Sequence, residues 1–419
     1  MKMFPRLLLC SLAFSGTHAE DFQGASHKLE YEDPPIKYSD QTPTDAVAQL
    51  QHRLATGETK LKFDEQSGYL PALLEALKIQ PASQMLVFSK TSLQRTFITP
   101  KNPRAVYFND DVYLGYIPGA PALEIAAADP KLGGVFYRME NEETRRPRFV
   151  RSQDCLSCHG AERTLGVPGF LVRSIGTDAT GELDSQTEAS DIDHCTPLAE
   201  RWAGWYVTGE HGTQTHRGNL IGAPALARAA KEPNYLGNLK DVTGFLDVKK
   251  YLRPTSDIVA LMVLEHQTKM HNYITRLSFE TQHMMSAYGH IRYLNHQQDA
   301  FLRYLLFTEE TPVTAPISGD PLYAKNFSAL GPFDAKGRSL REFDLHTRLF
   351  KYPCSFLIYS AQFDAMPTVM HDQLLQRLYA ILTGEDHDPQ FAKLGEEQRR
   401  AILEILRETK PNLPAYWQQ

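Results

Sequence analysis

Five consecutive residues, Cys155-Leu156-Ser157-Cys158-His159, constrain this chain more than any other feature. Two thiols two positions apart, followed at once by an imidazole, form the C-x-x-C-H pattern of c-type haem attachment. The chemistry needs that spacing. The thiols of Cys155 and Cys158 reach the two vinyl groups on one porphyrin edge, and His159 falls under the iron as the proximal metal ligand. With five cysteines and 15 histidines in 419 residues, chance supplies the pattern in about two such chains per thousand. A zinc knuckle needs a second ligand pair at matching spacing. The histidine pairs His211/His216, His266/His271 and His290/His296 all lie far downstream. A thiol–disulfide exchange motif opens a helix after a strand in a thioredoxin-like βαβ unit, and no such pattern surrounds Cys155.

The first residues bear on the compartment. Lys2 and Arg6 precede a short apolar stretch, Leu7–Gly16, and Thr17-His18-Ala19 places small residues at −3 and −1 of a cleavage site. This is the form of a signal peptide over residues 1–19, and it predicts export to the periplasm, where c-type haem is attached. Losing Lys2 and Arg6 takes the net charge from −6 to −8. A negative chain disfavours a generic nucleic-acid binder. The longest apolar run beyond residue 20, Ile258–Leu264, is seven residues, against about twenty for a membrane span. Cys10 leaves with the signal. Cys195 and Cys354 remain, and in an oxidising compartment they are candidates for a disulfide; spacing leaves both the bridged and the free state open.

Periodicity predicts an α+β chain with a β-rich N-terminal half and a mainly helical C-terminal half that includes a cytochrome c-like haem site. Helices are expected over Thr44–Thr56, capped by Thr44, and over Leu70–Ile79. Short strands follow over Gln84–Ser89, Ala105–Phe108, Val112–Tyr116, Leu123–Ala127, Val135–Arg138, Phe170–Ser174 and Trp205–Thr208. Ser256 is placed to cap a long helix running to about Tyr288, and further helices are expected over Gln297–Phe307, His371–Leu382 and Glu396–Glu408. Pro312–Gly337 reads as loop. The regions expected are an N-terminal α+β part (20–140), a haem-attachment part (141–250) and a helical part packing on the haem (251–419).

The second iron ligand is less constrained. No methionine lies between His159 and Met262, which argues against a small self-contained cytochrome c domain. The nearer donors are His194, His211 and His216; farther on are Met262, His266, Met270 and His271. His266 shares a helical face with Val259, Met262, Val263, Met270 and Tyr273, so it points into the core, as a hydrogen-bonded core residue or as the distal ligand. The sequence reading takes His266 as distal metal ligand, with His211 second. His211 and His216 sit in a Gly-rich loop fit to line a haem pocket. The basic run Arg145-Arg146-Pro147-Arg148 with Arg151 is a solvated face or a partner for haem propionates or an acidic redox protein.

Cys155–Gly160, Trp202–Asn219, Ser256–His266 and Ala401–Trp417 together resemble a family of exported single-haem cytochrome c-like proteins of Gram-negative bacteria. The resemblance runs from about Pro34 to Trp417. It implies one covalent haem c, a periplasmic location and redox activity, and it includes positions like His211, His216 and His266 as haem-pocket residues. The function expected is electron transfer to a redox partner protein by a periplasmic monohaem cytochrome. A haem enzyme, such as a peroxidase or small-molecule oxidoreductase, or a ligand sensor with an open sixth position is the alternative, because about 400 residues is large for an electron carrier.

Overall fold

The first two α-helices of the described chain are α1 (Ala46–Thr56) and α2 (Leu70–Ala76). The cap of α1 is Asp45, not Thr44. Its carboxylate accepts from the Val47 and Ala48 amides, and a negative group there also complements the helix dipole. Thr44 instead bonds Asp129. The computed structural model describes residues 29–418 apart from 186, 188 and 234; the expected signal segment and Cys10 lie outside them.

The period then changes to two, and six strands follow: β1 (Met85–Val87), β2 (Arg104–Phe108), β3 (Val112–Tyr116), β4 (Ala122–Asp129), β5 (Gly133–Glu140) and β6 (Val150–Arg151). After a one-turn helix, α3 (Leu156–His159), come a two-stranded hairpin, β7 (Arg173–Ile175) and β8 (Ala189–Asp191), and then β9 (Trp205–Tyr206). The main sheet is antiparallel throughout, in the order β6-β5-β4-β3-β2-β1-β9. It therefore takes strands from both sides of the motif. Alternation sends Leu86, Ala105, Tyr107 and Leu114 to one face, which packs under α1 and α2. Met85, Val87, Phe108 and Tyr113 go to the other, which joins the helical half.

The C-terminal half holds α4 (Gly222–Lys231), α5 (Ile258–Tyr288), α6 (Asn295–Leu305), α7 (Pro321–Ser328), α8 (Ala361–Asp364), α9 (Thr368–Thr383) and α10 (Glu396–Thr409). Helix α5 is capped by Asp257, whose carboxylate accepts from the Ala260 amide at 2.7 Å. Ser256, the expected cap, stitches the sheet instead: its hydroxyl accepts from the Leu86 amide at 2.9 Å and donates to the Tyr206 carbonyl at 2.6 Å. Almost every residue of α5 from Ile258 to Thr281 is buried, so the helix is central and not merely striped. Asp320 and Pro321 start α7 inside the segment expected to be loop. The mixed architecture, sheet first and helices after, fits α+β. No helix among the described residues is long and apolar enough to cross a membrane.

Candidate functional site

The antiparallel pairing of β5 with β6 ends at Arg151 and delivers the chain into α3, which carries the C-x-x-C-H residues on one turn. Cys155 is half-buried and Cys158 is exposed, both as free thiols. Burial pushes the Cys155 thiol above its ordinary pKa. Arg151, from the basic run, bonds the Tyr38 and Gln41 carbonyls and lies over the Tyr38 ring, so it has a structural task.

His159 is held on two sides. Its Nδ1 lies 3.0 Å from the Gly169 carbonyl, and the Gly169 amide returns a bond to the His159 carbonyl at 2.8 Å. A carbonyl only accepts, so in the neutral ring the proton sits on Nδ1 and the lone pair on Nε2. No hydrogen bond among the described residues falls on Nε2. The ring packs against Phe136, centroids 4.8 Å apart. Burial holds the imidazole below its usual pKa, against the pull of the Gly169 carbonyl, and the neutral form is the one that ligates a metal.

Gly169 has to be glycine here. A Cβ on it would come within 2.2 Å of the Asn272 amide oxygen. That Asn272 side chain, on α5, grips the next residue: it accepts from the Phe170 amide and donates to the Phe170 carbonyl, both at 2.8 Å. Arg276, one turn on, donates to the Leu165 carbonyl and pairs with Glu280. The long helix thus fixes the segment that fixes His159. Gly160 is equally tight, since a Cβ there would meet the Tyr31 hydroxyl at 2.3 Å.

The other expected residues lie in separate clusters. His266 is fully buried; its Nδ1 is 2.8 Å from His194 Nδ1 and its Nε2 is 2.8 Å from Ser355 Oγ. Both ring nitrogens are engaged, which is the arrangement of a core histidine. His271, on the same helix, is also used twice, by Gln362 and the Asp110 carbonyl. His211 and His216 contact each other, centroids 4.7 Å apart, and His216 also meets Trp202. No hydrogen bond or ring contact joins His266, His211 or His216 to Cys155, Cys158 or His159 among the described residues. Cys195 and Cys354 are free thiols, although their neighbours His194 and Ser355 are linked through His266. Among the described residues no cluster of three or more His, Cys, Asp or Glu side chains is placed to hold a metal ion.

Sequence reasoning missed Gly169, Asn272 and Phe136. Pro168-Gly169 was the one local signal, a turn shortly after the motif. Against family models, curated proteins and solved structures alike, the chain has no significant match.

Proposed function

We propose that this chain is an exported c-type cytochrome that moves electrons through one covalently held haem. The observation that carries the reading is the His159–Gly169 clamp beside two free thiols. Cys155 and Cys158 would hold the porphyrin edge and His159 Nε2 would be the proximal ligand. The fit is specific: the ring is neutral, its Nδ1 proton is fixed by a backbone carbonyl, and Nε2 carries no competing bond among the described residues. Haem, when bound, supplies a one-electron iron couple tuned by ligands and burial. The chain's own part is to hold the imidazole in one tautomer and one orientation, through Gly169, Phe170 and Asn272, and to pack one ring face against Phe136. The resemblance to exported single-haem proteins and the signal-like N-terminus support the periplasmic setting and a redox partner protein.

The engagement of both nitrogens of His266 favours a second reading of the sixth position. For His266 to ligate iron it would have to break its bond to His194 or to Ser355. Iron with no protein ligand on that side suits a haem enzyme or ligand sensor.

Haem staining on a denaturing gel, after maturation in an oxidising compartment, tests the core of the proposal. Wild type and Cys195→Ala are expected to keep the stain, and Cys155→Ala and Cys158→Ala to lose it. An unstained wild type overturns the reading. A visible spectrum of both redox states then decides the coordination: a high-spin signature that responds to added imidazole supports the open position, and a low-spin one the electron carrier.

A further inference from the structure

One ion pair of the main sheet lies on the same face as Phe136, the ring that backs His159. Glu124 (β4) stands opposite Gly115 (β3), and Gly115 opposite Val106 (β2). Arg104, two residues before Val106 and on its face, crosses β3 to reach Glu124, Nη1 to Oε2 at 3.3 Å. Gly115 lies under the crossing: a Cβ there would meet Arg104 Cδ at 3.4 Å and Glu124 Cβ at 3.7 Å. The Ser92 hydroxyl donates to the same carboxylate, 2.7 and 2.9 Å from its two oxygens. Only 20% of each charged side chain is exposed, so water and salt screen this pair less than a surface one.

The pair sits beside the attachment turn. Ala126, two residues after Glu124, pairs with Phe136, and Phe136 packs on the His159 ring. After burial and the Gly169 carbonyl, the His159 imidazole feels Arg104, against its protonation, and Glu124, in favour of it. Glu124 also acts on the Cys155 thiol, after burial and the Ser152 hydroxyl. Arg138, opposite Glu124 on β5, is exposed, so solvent weakens its field. We propose that Arg104 and Glu124 tune the reduction potential of the haem that Cys155, Cys158 and His159 would hold, Glu124 favouring the ferric state and Arg104 the ferrous one, a role that rests on the cytochrome reading. An iron centre that gains one electron becomes one unit less positive. A fixed carboxylate nearby opposes that gain and a fixed guanidinium assists it. Neither residue needs to touch the iron ligands; both act through the field.

Spectroelectrochemical titration of the haem-loaded chain tests this, with haem stain and visible band positions recorded for every variant. Glu124→Gln is expected to raise the potential and Arg104→Gln to lower it. Each should change the ferrous-to-ferric ratio at a fixed poise by at least about threefold, or about 28 mV, tenfold being about 59 mV. The double variant is expected to return near wild type, and Arg104→Lys, which keeps the charge, to stay there. Stain and band positions are expected to be unchanged throughout. A merely structural pair would move both single variants the same way or alter the bands. The sign in either single variant decides the matter should the other fail to fold. Shifts of one sign, no cancellation in the double variant, or unmoved potentials overturn the proposal and leave the cytochrome reading standing; an unstained wild type overturns both.

Discussion

Asn272 shows how much one side chain can position. It satisfies both the amide and the carbonyl of Phe170, and Asn272→Ala leaves both without that partner. The expected loss is about 1–3 kcal/mol, read as a shift of the urea midpoint. His216 gives a pH prediction. Its native pKa is about 3, against an ordinary value of about 6.5. The unfolded chain therefore takes up a proton below 6.5 that the native one refuses until about pH 3. The stabilisation is complete above 6.5 and is lost as the pH falls toward 3, with a slope approaching about 1.4 kcal/mol per pH unit. Buried carboxyls with raised pKa, such as Asp257 at about 7, contribute the opposite slope, so the measurement is a difference: chemical denaturation at pH 6.5 and 4.5 should show a smaller acid penalty in His216→Gln than in wild type. Equal penalties count against it. At this scale the gathering of Cys155, Cys158 and His159 on one turn was legible, because local spacing alone sets it. The hydrogen-bond partners of His266 were not. Helical phase correctly sends it inward, but His194 and Ser355, which take up its nitrogens, lie 72 and 89 residues away.

Elements were read well where a single period runs on. Val112–Tyr116 and the long helix to Tyr288 stand as expected, because alternation and the 3.6-residue repeat persist there. Several short elements were hidden, among them α3, β6 and β8. The one-turn α8 is too short to show a period, α4 carries Gly222 and a proline in its first turn, and α7 begins at Pro321 inside loop-like composition. Proline suits a first turn, whose amides lack intrahelical partners anyway. The cap of α5 gives the prediction proper to this scale. Asp257 also accepts from the Asp320 amide, which ties α5 to the start of α7. Asp257→Ala is expected to cost at least about 1–2 kcal/mol, seen as a lowered midpoint by far-ultraviolet circular dichroism. Gly319→Ala should act in the same direction, since its Cβ would collide with that carboxylate; a neutral result in both variants removes the cap from the account.

Across the whole molecule the sheet is a wall shared by two cores. One core holds α1 and α2, and the other holds most of α5 with α6 and α9. Helix α5 spans both, since Phe279 packs with the first core while Leu277 packs with the second. Neither side keeps its burial without the other, so unfolding should be one transition. Tryptophan fluorescence, which samples Trp202, Trp205 and Trp417, and circular dichroism are expected to give coincident urea curves; separated curves would mean two domains. The free state of Cys195 and Cys354 predicts that both alkylate in denaturant without reductant, which intact mass measures. The clamp on His159 has a further consequence in time. Under the proposed export, a chain crossing a membrane N-terminus first presents Cys155 and Cys158 well before α5, because Phe170 and Asn272 are 102 residues apart. During that interval the hold of Asn272 on Phe170 is not yet made. Under the proposed function attachment and orientation are separable events, and a chain cut near residue 250 is expected to accept a covalent group at Cys155 and Cys158 while lacking the helix that aims the histidine.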